Sequence, residues 1–89
     1  MADFNPQKEE HDQLRKDIIE VIENKDELVP TPDLKEEIAW EKHWGENYFR
    51  YKLLPEALRY MRDESKEIHI AETRREGGNP THYYEVTQK

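Results

Sequence analysis

The chain has 89 residues, no cysteine, 39% charged residues and 34% apolar residues. Disulfides and thiolate metal sites are therefore excluded, and no apolar run approaches the roughly 20 residues of a membrane-spanning helix. One domain over residues 1–89 is predicted, with flexible termini at 1–5 and 88–89 and a small core. The first residues lack the apolar region of a secretory signal, so a cytoplasmic, intracellular protein is expected, without a membrane partner.

The net charge of −7 is distributed unevenly along the sequence. Residues 1–33 carry four basic against ten acidic side chains, residues 34–65 carry six against seven, and residues 66–89 carry four of each. A polyanion such as DNA would be repelled by the first third and tolerated by the rest.

Residues 6–24 are predicted to form the first helix. Asn5 can cap this helix, and Pro6 suits its first position because proline lacks the N–H that would be unpaired there. Apolar residues recur at helical spacing and form one stripe: Leu14, Ile18, Ile19, Val21 and Ile22. A surface helix with one buried face is the prediction, and a homodimer seam is the alternative.

A short edge strand and a second helix are predicted next. The segment "LVPTP", residues 28–32, is too short and too rich in proline for a central strand. Thr31 can cap a helix that has Pro32 at its first position. The segment "HWGEN", residues 43–47, would end this helix, with Gly45 in a left-handed conformation. Of the two tryptophans that flank His43, Trp40 and Trp44, one is expected in the core and the other exposed as a partner contact.

Residues 47–64 show helical periodicity again, but Pro55 interrupts it. Proline removes a backbone donor and clashes with the preceding turn. Either the helix kinks near residue 54, or residues 47–53 form a separate turn and the helix begins at Pro55. The kink is favoured, because Gly45 is the stronger boundary.

Residues 66–73 and 81–87 alternate with a period of two, which predicts an antiparallel hairpin. With Thr73 opposite Thr81, the strong apolar residues share one face. That register pairs Ile70 with Tyr84 and Ile68 with Val86 inward, and His69 with Glu85 and Ala71 with Tyr83 outward. The segment "RREGGNP", residues 74–80, would form the connecting loop, with Gly77 and Gly78 free to adopt positive φ.

This order of elements resembles the winged helix-turn-helix family over roughly residues 8–87. The resemblance is carried by "TPDLKEEIA" as second helix, "HWGEN" as turn, "YFRYKLLPEALRYMRD" as recognition helix and "IHIAETRREGGNPTHYYEV" as wing. It implies an α+β fold of three helices and a C-terminal two-stranded β-hairpin wing. Members are usually neutral or basic and rarely carry a proline within the recognition helix, and this chain departs from both patterns.

The resemblance implies a small DNA-binding protein, a transcriptional regulator that binds double-stranded DNA. The small size of the chain indicates a regulator of viral, plasmid or archaeal type. The third helix would enter the major groove and the wing would hold the backbone. The candidate DNA contacts are Asn47, Tyr48, Arg50, Tyr51, Lys52 and Arg59 on the helix, and Arg74, Arg75, Gly77 and Gly78 in the wing. The alternative for each set is structural: helix cations paired with carboxylates, and a hairpin loop with solvated arginines.

A second hypothesis is an acidic winged-helix protein-interaction module or nucleic-acid mimic, of the type that phages and viruses use as inhibitors. Its partner would be a basic protein, bound through acids of the first helix such as Asp17, Glu20 and Glu23.

Catalytic and metal-binding patterns are not recognisable in the sequence. The four histidines have no metal-ligand spacing, and no nucleophile stands beside a base. The expectation is a protein that is not an enzyme and has no cofactor or metal.

Overall fold

The structure is a computed structural model that describes residues 4–25, 27–38 and 46–87. Within these ranges the chain is an α+β fold of three helices and a three-stranded antiparallel sheet. The elements are α1 (Glu9–Glu23), β1 (Val29–Pro30), α2 (Thr31–Glu37), α3 (residues 46–63), β2 (Ile68–Glu76) and β3 (Asn79–Val86). No helix in this part of the chain has the length and apolar character needed to span a membrane.

The predicted stripe of α1 faces one hydrophobic core that all three helices and the sheet share. Leu14 and Ile18 are fully buried and Ile22 nearly so, while Ile19 and Val21 pack against the edge of the core. Helix α1 begins later than predicted, because Asn5 does not cap it. The side chain of Asn5 instead accepts a hydrogen bond from the backbone N–H of Gln7, and Lys8 precedes the helix without a side-chain cap.

Residues 4–8, which precede α1, contribute Phe4 to the core. Of the predicted flexible termini, residues 1–3 and 88–89 lie outside the described residues. Phe4 is buried between His11 and Tyr60, with ring centroids 5.5 and 5.4 Å away. The backbone N–H of Asn5 donates a hydrogen bond to Nδ1 of His11 at 2.8 Å. This segment therefore ties α1 to the second half of α3.

Helix α3 accommodates Pro55 by widening one turn rather than by breaking. Glu46–Tyr48 and Leu54–Asp63 are α-helical, and Phe49–Leu53 between them is π-helical. The N–H of Leu54 accordingly bonds to the carbonyl of Phe49, five residues back. The wider turn relieves the clash that a proline ring makes with the carbonyl four residues earlier. The helix thus runs through residue 54, and the less favoured alternative, a helix that starts at Pro55, is wrong.

The sheet has the order β1-β3-β2, so β3 is central and β1 is the short edge strand that the sequence indicated. Val29 pairs with Tyr84 and Pro30 with Tyr83. The sheet therefore has three strands, and the two strands of the predicted wing are only part of it.

The inner half of the hairpin has the predicted register, and the outer half does not. Ile68 pairs with Val86, His69 with Glu85 and Ile70 with Tyr84, as expected. A β-bulge then falls between Ile70 and Glu72, and it shifts every later pair by one residue. Glu72 rather than Ala71 is opposite Tyr83, and Thr73 is opposite His82 rather than Thr81.

The hairpin also ends in a shorter loop than predicted. Strand β2 continues to Glu76, which pairs with Asn79, and leaves a two-residue turn of Gly77 and Gly78. Their φ angles of 66° and 92° match a turn that needs positive φ at both central positions. Arg74 and Arg75 are therefore strand residues, and their predicted place in the loop is wrong.

Several predictions fall outside the described residues. These are the last residues of the predicted second helix, the turn at Gly45, and the positions of Trp40, His43 and Trp44. The described part of α2 ends at Glu37, and Leu34 and Ile38 are buried.

Candidate nucleic-acid interface

The first turns of α3 have one buried apolar side and one exposed polar face. Phe49 and Leu53 are buried, so the π-helical turn directs Tyr51 and Lys52 outward. Tyr51 is 65% exposed, the largest exposure of a big apolar side chain in the described residues. Asn47, one turn earlier, is also exposed.

Two other predicted contacts on α3 are less accessible. Tyr48 and Arg50 are half-buried, and Tyr48 packs against the core. Both side chains make further interactions within the protein. Tyr48 and Arg50 are therefore mainly in contact with the rest of the protein and contribute little to the exposed face.

Helix α2 adds a residue to this face that the sequence interpretation missed. The ammonium group of Lys35 lies 5.3 Å from the ring centroid of Tyr51, within the range of a cation–π contact. Neither Lys35 nor Lys52 has an ion pair with any side chain that the structure describes. We call Lys35, Asn47, Tyr51 and Lys52 the Tyr51 patch. A basic residue in the last turn of α2 was the available signal for Lys35.

The second half of α3 is balanced in charge. Arg62 pairs with Asp63 at 2.8 Å, and its hydrogen bond holds the pKa of Asp63 below the usual range. Arg59 is exposed and lies beside carboxylates in a shallow depression lined by Phe4, Glu56, Arg59, Tyr60, Asp63 and Glu64. Arg59 therefore lies among carboxylates and is not part of the Tyr51 patch.

Arg74 lies on the outer face of the hairpin and is engaged within the protein. Its Nε donates to Oε2 of Glu72 at 2.6 Å, and its guanidinium carbon lies 4.4 Å from the ring centroid of Tyr83. The Glu72 carboxylate raises the pKa of Arg74 further. Arg74 is thus a structural cation that holds the two strands together.

Arg75 lies on the opposite face, the one that packs on the helices. Thr73 and His82 share a hydrogen bond of 3.0 Å, and His82 contacts the buried Tyr84 edge-on at 6.5 Å. Because strand residues alternate, Arg75 is on the same side as Thr73. It is exposed and has no ion pair among the described side chains. The two adjacent arginines therefore do not form one patch.

The glycines at the hairpin tip are exposed, and a Cβ added to either would meet nothing within 4 Å. Glycine is favoured at these two positions because their φ angles are positive, and not because a side chain would clash with the protein. The tip is open enough for its backbone to approach another molecule.

The acidic side chains of the first third lie mainly along α1. Glu9, Glu10, Glu20 and Glu23 are exposed. Asp12 pairs with Arg15 at 3.0 Å and Lys16 at 3.3 Å, and these cations lower its pKa. Arg15 also contacts Glu67, which ties α1 to the start of the hairpin. The exposed face of α1 is therefore strongly negative.

The histidines of the described residues have structural partners. His69 bridges the hydroxyl of Thr87 and the carboxylate of Glu85, each at 3.1 Å, across the base of the hairpin. In residues 4–25, 27–38 and 46–87, no group of three histidine or acidic side chains is placed to hold a metal ion.

Comparisons with models of known families, with curated proteins and with solved structures found no match to this chain.

Proposed function

We propose that this chain is a small winged-helix domain that binds double-stranded DNA and acts as a transcriptional regulator. The Tyr51 patch would enter the major groove, and the Arg75 face of the hairpin would contact the backbone. The element order supports this proposal, with α2 and α3 followed by a hairpin that ends in an open glycine tip.

The observation that carries the proposal is the Tyr51 patch itself. In a chain of net charge −7, Lys35 and Lys52 flank an exposed tyrosine and have no ion pair among the described residues. Unpaired cations at a helix surface suit phosphate oxygens, and the exposed amide of Asn47 suits a base edge. Arg74 and Arg59 contribute less, because carboxylates already surround them.

Binding of a labelled pool of duplex DNA, measured by fluorescence anisotropy at two salt concentrations, tests the proposal. The logarithm of the binding constant should fall with the logarithm of salt by about 0.9 per phosphate contact. Lys35→Ala with Lys52→Ala should reduce that slope by up to about 2 and weaken all sequences alike. The matched control is Lys8→Ala with Lys16→Ala, which removes the same charge from α1 and the residue before it and should change the slope little. Equal losses in the two pairs would show that only total charge matters.

The acidic face of α1 favours a second candidate, a protein-interaction module or nucleic-acid mimic with a basic protein partner. Three exposed or half-exposed acids lie on its outer surface: Asp17, Glu20 and Glu23. A protein of this kind would not bind duplex DNA even at about 50 mM salt, where phosphate contacts are strongest. A homodimer through α1 is a separate proposal that is compatible with DNA binding, and sedimentation equilibrium tests it. A folded wild type without duplex binding would decide for this second candidate.

A further inference from the structure

A groove of about 810 Å³ lies between strand β3 and the turn that joins α1 to β1. Its walls include half-buried apolar surface from Leu28, Pro30, Tyr83 and Val86. The groove is open to solvent along its length. Its volume exceeds that of any single side chain and suits several residues of an extended segment.

The charges that line this groove are unbalanced. Its carboxylates are Glu23, Glu27, Asp33 and Glu85, and its cations are Lys25 and Arg74. Both cations are already bound by acids outside the lining: Lys25 to Glu37 at 2.9 Å and Arg74 to Glu72 at 2.6 Å. The lining therefore keeps more negative charge than its own cations can neutralise.

We propose that this groove docks an extended lysine- or arginine-bearing segment of a partner protein. The apolar walls would hold the methylene stems of such side chains, and the carboxylates would bind their charged ends. A nucleic acid is a poor occupant, because its phosphates would meet four carboxylates.

The contacts of two lining residues, Lys25 and Arg74, indicate that the groove stabilises positively charged groups. The carboxylates of Glu37, Asp33 and Glu27 together raise the pKa of Lys25, so the local field stabilises positive charge. Arg74 packs its guanidinium over Tyr83 at 4.4 Å, the contact an incoming arginine would make with an aromatic wall. The groove shares no residue with the Tyr51 patch, so either surface can be present without the other.

The test uses a short fluorescein-labelled peptide that alternates arginine and threonine, with a glutamate–threonine peptide as the charge control. Anisotropy is measured on the full chain at about 50 mM salt, where exposed charges are only partly screened. The wild type should bind the arginine peptide and not the glutamate peptide. No binding of the arginine peptide, or equal binding of both, overturns the proposal.

A matched pair of charge variants then locates the binding. The groove variant combines Glu23→Gln, Glu27→Gln, Asp33→Asn and Glu85→Gln. The control variant combines Glu9→Gln, Glu10→Gln, Glu20→Gln and Glu64→Gln, which are exposed and do not line the groove. The groove variant should weaken binding at least about tenfold and the control less than about threefold, since rim charges act mainly at short range. Equal weakening means that the peptide senses only net charge, which overturns the proposal.

If the four-residue groove variant fails to fold, the single substitution Glu27→Arg tests the same site. Glu27 is exposed on the turn and makes no ion pair with a described side chain, so Glu27→Arg should leave folding intact. It should weaken peptide binding several-fold by placing a cation inside the groove. In wild type, amide NMR shifts on peptide addition should concentrate at Leu28, Tyr83 and Glu85. Shifts concentrated on the Tyr51 patch or the exposed face of α1 would overturn the assignment.

Discussion

Helix α3 and the β2–β3 hairpin both carry clustered cations in the sequence, yet those cations end in different surroundings. On α3, Lys52 is exposed and has no ion pair with a described side chain, and Tyr48 and Phe49, one turn before it, pack toward the core. On β2, residues two apart share a face, so Glu72 lies directly beside Arg74.

The comparison shows that the contacts a cation makes inside the protein, and not its place in a basic stretch of sequence, decide whether it is available to a ligand. Because residues alternate between the faces of a strand, Arg74 shares a face with its partner Glu72, whereas Arg75 lies on the other face. The π-helical turn exposes Lys52 next to Tyr51, whose ring contacts Lys35 of α2.

Ile68→Ala should destabilise the protein by about 2–5 kcal/mol, because Ile68 is 1% exposed and its loss leaves a cavity beneath the hairpin. Ile70→Ala should cost clearly less, since Ile70 is only half-buried at the edge of the core. Urea denaturation of both variants measures the difference. Equal costs would mean that the hairpin packs more deeply than the structure indicates.

Arg75→Ala should weaken duplex binding about tenfold near 0.1 M salt and reduce the salt slope by about 1, the effect of one phosphate contact. Arg74→Ala should change the slope little, because Glu72 and Tyr83 already hold its guanidinium. Anisotropy titrations of the two single variants make this comparison with the same loss of charge. A larger effect of Arg74→Ala would reverse the assigned faces.

Gly78→Ala should cost about 1 kcal/mol or slightly more, since its φ of 92° is unfavourable for any residue with a Cβ. Gly77→Asn should be nearly neutral, because asparagine is common at the first position of such a turn. Thermal unfolding measures both. If Gly77→Asn keeps its stability but loses duplex binding, the tip itself approaches the DNA closely.

Acidification should loosen the N-terminal segment while leaving the Tyr51 patch in place. Burial, then Lys8, lowers the pKa of His11 below 6.5, so the native state binds fewer protons than the unfolded state in that range. Stability should therefore be intact above about pH 6.5 and should fall as the pH drops toward the lowered pKa. Scanning fluorimetry from pH 7 to pH 5 should show a smaller decline in His11→Gln than in wild type. A decline in His11→Gln as steep as that of wild type would show that protonation of His11 does not cause the loss of stability.

Much of the fold follows from the sequence alone, because hydrophobic periodicity is a local property. The stripe of Leu14, Ile18 and Ile22 predicts which face of α1 is buried, and the alternation of Ile68 and Ile70 predicts the inner register of the hairpin. The short edge strand at Val29 and Pro30 follows from its length and its proline.

The tertiary structure decided the features that depend on contacts between elements. The bulge after Ile70 and the length of β2 depend on how two strands pair, and they moved Arg74 and Arg75 out of the predicted loop. The π-helical turn before Pro55 depends on keeping Phe49 and Leu53 in the core on either side of it. The contact of Lys35 with Tyr51 joins residues on different helices, and no spacing within either helix encodes that distance.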